Sequence, residues 1–419
     1  FIQTAAINPD ARSSNFKEEV MGRLVRFVSS HELGHTLGLP HNMGSSSAYP
    51  VDSLRSAAFT KKYGTAPSIM DYARFNYVAQ PEDKGVALMP NIGIYDKYAI
   101  AWGYRPILGK NAKEEKATLN SWILKHAGDA KYRFGHQQVV NVVDPSSQTE
   151  DLGDDAIKAS MYGIKNLKRI VPKLEEWTSE KGENYSELKT MYGQILSQFN
   201  RYMGHVSTNI GGVYEQYKTS DQDGAVYTHV DKNHQKKAMQ FINKQLFKTP
   251  MWLIDKNIVD KTQYSGSGDR VRSVQVRTIN RILKTGRLNR MIENQTLNGS
   301  KAYTILSLMG DMRRGIWGEI YNGKRIDVYR RNLQRAHINR LGFLLNDAKS
   351  QGGARANFGA YFKQTAVAMN QSDIKPIVRG ELKRLKRNIR AAIAVAPNTI
   401  TRYHLQDAVD RIDTILDPK

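Results

Sequence analysis

Between residues 31 and 42 the chain reads HELGHTLGLPHN, and this run restricts the local fold more than any other feature of the sequence. His31 and His35 stand four apart, so on a helix both imidazoles project from one face, close enough to share a metal ion. Gly38 lets the backbone leave that helix with a positive φ, and the chain can then swing His41 round as a third nitrogen ligand. Three histidines leave one coordination position open, and zinc suits such a set. Glu32, adjacent to the first ligand and not itself ligating, is placed to take a proton from water attacking a peptide carbonyl and to pass it to the departing amine.

Five fixed residue types at these offsets arise by chance roughly once in three million starting positions, so coincidence competes weakly. The rest of the composition agrees. With no cysteine among 419 residues, disulfides, thiolate metal sites and cysteine nucleophiles are excluded, and any metal must be held by His, Asp or Glu. No apolar run approaches the roughly 20 residues of a bilayer span, so no transmembrane segment is expected.

The spacing HExxHxxGxxH, realised as His31, Glu32, His35, Gly38 and His41, resembles the metzincin clan of zinc peptidases. The resemblance extends to SIMDY, where Met70, 29 residues beyond His41, matches the methionine of the turn that floors the zinc site. By similarity to the astacin and serralysin branches, whose SxMxY turn carries a switching tyrosine, Tyr72 would approach the zinc or stabilise the oxyanion of the tetrahedral intermediate. Asn42, directly after the third ligand, departs from the serine, aspartate, glutamate or proline of the best-known branches. The longer runs HNMGSSSAYPVDSLRS, PSIMDYARFNYVAQPED and YDKYAIAWGY are similar to a group of large extracytoplasmic bacterial zinc metalloproteases. That resemblance implies a zinc cofactor, a protein or peptide substrate and an extracytoplasmic location.

Periodicity predicts a mainly α fold. Asn15 with Glu18, followed by Phe16, Val20, Leu24, Phe27 and Val28, predicts a helix from about 16 to 37, stopped by Gly38. From Pro40 to about Pro67 the chain reads as irregular, and beyond Tyr95 as overwhelmingly helical. Ile157 to Leu174 forms an amphipathic stretch with a kink at Pro172, and Leu188, Tyr192, Ile195, Phe199, Tyr202 and Val206 mark a long packed helix. Further helices are expected near 233–247, 270–292, 302–318, 324–348, 379–395 and 399–416, with breaks at GSG (266–268) and QGGARA near 351, and with no convincing sheet. The expected organisation is the C-terminal part of a metzincin-like catalytic domain (1–106), a helical region (107–264) and a basic helical region (265–419). Metzincin catalytic domains place a twisted sheet before the zinc helix, whose edge strand pairs with substrate; here about 15 residues precede that helix, so the sheet is expected to be largely absent. A start at Phe1 without a secretory signal leads to the expectation of an upstream domain of the same protein as a partner.

The net charge of +22 is uneven, with 24 basic and 22 acidic residues in 1–200 against 38 and 18 in 201–419. No RNP pattern, zinc finger or Walker loop accompanies it, so nucleic acid is not an expected partner and the charge reads as a solvated basic face. EDLGDD (150–155) could chelate calcium but reads better as acids capping the following helix, and RGELKRLKRNIRAAIAVA reads better as a packed helix than as a membrane-surface one. Two functions stay open. One is a zinc endopeptidase in which Glu32 is general base and acid and Tyr72 assists. The other is a zinc-stabilised, catalytically incompetent fragment whose basic helical region binds a partner domain or polyanion. A different zinc hydrolase, such as an amidase, ranks below both, because the Met-turn of the resembled clan accompanies peptidase chemistry.

Overall fold

The computed structural model describes residues 1–73, 75–108, 111–138, 142–347 and 372–418. They divide into two compact units, one made of residues 1–208, 213–228 and 252–264, the other of 209–212, 229–251 and the described part of 265–419. The fold is mainly α.

In the first unit, two short 3-10 turns, Ile2–Thr4 and Pro9–Ala11, precede α1 (Glu18–Thr36). Helix α1 has acids Glu18 and Glu19 in its first turn, facing the positive end of the helix dipole. The stretch after it is largely irregular as expected, but it contains a seven-residue helix, α2 (Ala57–Tyr63), which Ser56 caps by accepting from the Phe59 amide. Helices α3 (Ile94–Tyr104) and α4 (Ala112–Leu124) follow. Beyond Tyr95 the described chain is mainly helical as expected, with one long exception: from Lys125 to Asp155 it holds only one 3-10 turn, Ala130–Tyr132. Polar side chains explain this. Gln138, Asp144 and Ser147 satisfy one another's neighbouring backbone groups locally, which competes with helix.

Helix α5 (Ala156–Ile170) starts where Asp155 accepts from the Ile157 and Lys158 amides, so this end of EDLGDD caps the helix. It gives way at Pro172 to a 3-10 turn and then α6 (Leu174–Thr178), in keeping with a ring that lacks an amide proton and crowds the preceding turn. The unit's main packed helix is α7 (Ser186–Thr208), thirteen of whose twenty-three residues are buried. The ring of Phe199 meets Trp252 edge-on at 5.6 Å, and the Tyr192 hydroxyl bonds the Leu253 carbonyl. In keeping with the expectation of no convincing sheet, the strands among the described residues are one small pair, β1 (Val213–Glu215) with β2 (Tyr227–His229). At three residues each, such strands are too short for alternation to reveal.

The regular elements of the second unit's described residues are helical apart from His229 at the end of β2: α8 (Lys232–Ile242), α10 (Ser267–Ile282), α11 (Thr285–Asn298), α12 (Ile305–Ile316), α13 (Gly318–Asn322), α14 (Val328–Gly342), α15 (Ile374–Ile393) and α16 (Thr399–Leu416), with α9 (Lys256–Thr262) belonging to the first unit. The single helix expected over 270–292 is two, broken at Leu283 and Lys284. Leu283 is buried there and no proline marks the place, so packing overrides local propensity. Leu382, Leu385 and Ile389 of α15 are buried and the helix packs against α16, which accounts for the basic amphipathic stretch without a membrane. Arg313 of α12 and Glu381 of α15 form a buried ion pair at 2.7 Å. The QGGARA break lies outside the described residues, and no helix among the described residues is long and apolar enough to cross a membrane.

One feature of the first unit departs from the periodicity that predicted it. Only Val20, His31 and Gly34 of the nineteen residues in α1 are buried. Val28, expected on the packed stripe, is 51% exposed, and Met21, Val25, Leu33 and Leu37 are exposed with it.

Candidate metal centre

The turn after α1 builds the site. The Leu39 amide bonds the Gly34 carbonyl at 3.0 Å and the Gly38 amide bonds the His35 carbonyl at 2.9 Å, the paired bonds of a Schellman end, with Gly38 at φ +82°. A residue with a Cβ would be strained in that left-handed conformation. The reversal returns His41 to the helix face: ring centroids are 4.9 Å apart for His31 and His35, 4.6 Å for His35 and His41, and 5.2 Å for His31 and His41.

The Met-turn lies against that face. Met70 is buried, and a Cβ added to Gly34 would fall 2.3 Å from its sulfur, so the glycine inside HELGH is what lets the turn approach the helix. Asp96, near the start of α3, holds the turn in place: its carboxylate accepts from the Ser68 hydroxyl at 2.5 Å, the Ile69 amide at 2.8 Å and the Gly93 amide at 2.7 Å. Gly93 is needed for this approach, since a Cβ there would lie 1.8 Å from the Pro67 carbonyl oxygen. Burial raises the Asp96 carboxyl above its ordinary value, partly opposed by those donors. Asp71 is fully buried, accepts from the Ser46 amide at 2.6 Å, and is pushed up to about 7 by desolvation. Together with the bond from the Asn42 amide to the Met70 carbonyl, 3.1 Å, it couples the loop after His41 to the Met-turn.

The hydrogen bonds of the three imidazoles decide what the cluster can hold. His31 Nδ1 bonds the Ile69 carbonyl at 2.7 Å and His35 Nδ1 bonds the Leu39 carbonyl at 2.9 Å. A carbonyl only accepts, so both rings carry their proton on Nδ1 and present a lone pair at Nε2. His41 Nδ1 likewise meets Gln137 Oε1 at 2.8 Å. The ligand atoms of the three rings lie within 4.8 Å of one another, with the Nε2 atoms of His35 and His41 at 3.1 Å, and His31 Nε2 is buried without a hydrogen-bond partner. Three converging lone pairs repel unless a cation accepts them, and outward N–H groups fixed by carbonyl-type oxygens are the usual outer shell of a histidine metal site. The residues therefore fit zinc. Burial lowers the His31 pKa, and the nearby His35 and His41 push it the same way, which keeps the ring neutral for ligation.

Glu32 is exposed on α1 immediately after His31, and its charge acts on that ring in the opposite sense, favouring protonation. The Tyr72 ring stands 4.6 Å from that of His41 and 5.2 Å from that of His31. All seven residues singled out from the sequence, His31, Glu32, His35, Gly38, His41, Met70 and Tyr72, thus lie on or beside one cluster. Asp96 and Gln137 were not singled out. Asp96 sits three residues after Gly93, the spacing of a capping box, and could have been noticed; Gln137 is 96 residues from His41 and carries no local signal. Three acids of EDLGDD are engaged away from the histidine cluster: Asp155 caps α5, Asp154 accepts from the Val51 amide and Glu150 pairs with Arg201.

A family profile described as Met-zincin matches residues 13–324. No curated protein and no solved structure matches the chain.

Proposed function

The chain belongs to the Met-zincin family, and from that premise we propose that it is a zinc endopeptidase acting on protein or peptide substrates. The observation that carries the reading is the convergence of three imidazole Nε2 atoms whose Nδ1 protons are already engaged outward. Zinc held by His31, His35 and His41 would supply Lewis acidity and a nucleophile drawn from water near neutral pH. Glu32 then accepts the proton of the attacking water and delivers it to the leaving amine. The Tyr72 hydroxyl donates to the substrate oxygen as negative charge develops there. Met70 and Gly38 have structural parts: one floors the site and the other turns the chain so that His41 can reach it.

A second reading keeps the metal and removes the chemistry. It is supported by the segment before α1, which forms 3-10 turns and so offers no edge strand to pair with a substrate backbone. The exposed apolar face of α1 supports a covering partner, which an upstream domain of the same protein would supply. An extracytoplasmic location belongs to the same proposal and rests on the sequence resemblance.

Substitution of Glu32→Gln separates the readings. A peptidase loses about 10²- to 10⁴-fold in casein or peptide cleavage while metal analysis still finds one zinc per chain. Equal rates in wild type and variant would sink the enzyme reading, and fragments not cut at peptide bonds would move it to another hydrolase class.

A further inference from the structure

We infer that Gln137 is the positioning residue for the third metal ligand, and that the strap of residues 133–138 sets how tightly the centre holds zinc. The inference rests on the zinc reading above and adds to it a part of the chain far from the motif. His31 and His35 are aimed by the helix that carries them and by two backbone carbonyls, Ile69 of the Met-turn for His31 and Leu39 of the turn after α1 for His35. His41 lies beyond the helix end, so no regular element dictates its rotamer. The acceptor that orients it is the Gln137 side chain, at 2.8 Å from Nδ1.

The strap is fixed on both flanks of that glutamine. On the N-terminal side, Asn42, the residue after the ligand, reaches over with its whole amide: Nδ2 donates to the Arg133 carbonyl at 2.9 Å, and Oδ1 accepts from the Gly135 amide at 2.8 Å. The Gly44 amide adds a bond to the Gly135 carbonyl at 3.2 Å. The two backbones meet so closely that a Cβ on Gly135 would lie 2.7 Å from the Gly44 Cα. The Arg133 guanidinium anchors to the Asp144 carboxylate at 2.7 Å and the Glu215 carbonyl at 2.9 Å. On the C-terminal side, Gln138 Nε2 donates to the Asp144 carbonyl at 2.9 Å and the Ser147 carbonyl at 2.7 Å. Gln137 is thus held between two anchored residues and presents its oxygen to a ring on another segment, an arrangement that orients a ligand before the metal arrives.

Its chemistry is specific too. The Nδ1 groups of all three histidines meet neutral oxygens, two backbone carbonyls and one side-chain amide, so Gln137 orients His41 without adding negative charge behind it. A glutamate would keep the acceptor and add charge, whereas a leucine of similar size would remove the acceptor alone.

The test compares Gln137→Leu and Gln137→Glu with wild type in two readouts: zinc affinity, from competition with a chromophoric chelator, and the thermal midpoint of the zinc-free protein. Gln137→Leu is expected to bind zinc about 10- to 100-fold more weakly while the zinc-free midpoint stays at the wild-type value, and Gln137→Glu to bind at least as tightly as wild type. Zinc affinity of Gln137→Leu within twofold of wild type overturns the inference, as does a loss explained by an equal fall in the zinc-free midpoint. Wild-type protein that takes up no zinc sinks the metal reading itself, so the two failures are told apart.

Discussion

Helices α1 and α7 belong to the same compact unit and are held there by different means. Helix α7 buries thirteen of its twenty-three residues, in the alternating steps of four and three that its sequence shows. Helix α1 buries three of nineteen, and two of those three, His31 and Gly34, lie in the metal-site turns. The first is positioned by apolar area removed from water, the second at its C-terminal end by directed contacts: the Schellman bonds, the His31 and His35 hydrogen bonds to carbonyls, and Met70 pressed against Gly34. The same hydrophobic period therefore carries different energetic weight in the two helices.

The contrast can be broken by substitution. Phe199→Ala removes a fully buried ring from α7 and should cost about 3–5 kcal/mol in urea or thermal unfolding. A cost near zero would mean that α7 is not held by its stripe. Next comes Gly34→Ala. In an exposed helix this change would stabilise by about 1 kcal/mol, but here the new methyl meets the Met70 sulfur, so the expected sign reverses to a loss of about 1–3 kcal/mol with weaker zinc retention on dialysis against a chelator. A stabilised variant would show that helix and Met-turn do not press on each other. The smallest effect is expected at Val25→Ser, on the bare face of α1, where unfolding should shift by no more than about 0.5 kcal/mol. A larger loss would show that a surface covers Val25 in solution.

How far the fold and site were readable depends on the range over which each was determined. The three-histidine cluster was legible because helix pitch and one glycine bring its members together within eleven residues, His31 to His41. Helices α5, α7, α15 and α16 were legible for a related reason: period and burial coincide. The break between α10 and α11 was not, because neither proline nor capping residue announces it. Beyond Tyr95 the chain reads as overwhelmingly helical, which gives no warning of the irregular stretch from Lys125 to Asp155, whose polar side chains bond its own backbone in a way composition does not betray. Gln137 lies in that stretch, and its partner His41 is far away in sequence. Asp96 was hidden similarly: it caps its own helix start and grips Ser68 and Ile69 from the preceding segment, and only the first task is written locally.

The strap anchored by Arg133, Gln138 and Ser147 also bears on how the centre could be cut out or transplanted. A stretch ending just after Tyr72 would carry every ligand yet leave His41 without its acceptor, so grafting the motif into another helix would transfer composition without orientation. A stretch from the start of α1 to Ser147 would carry the acceptor of His41 and most of what anchors it, but the Glu215 carbonyl that also holds Arg133 would still be left behind.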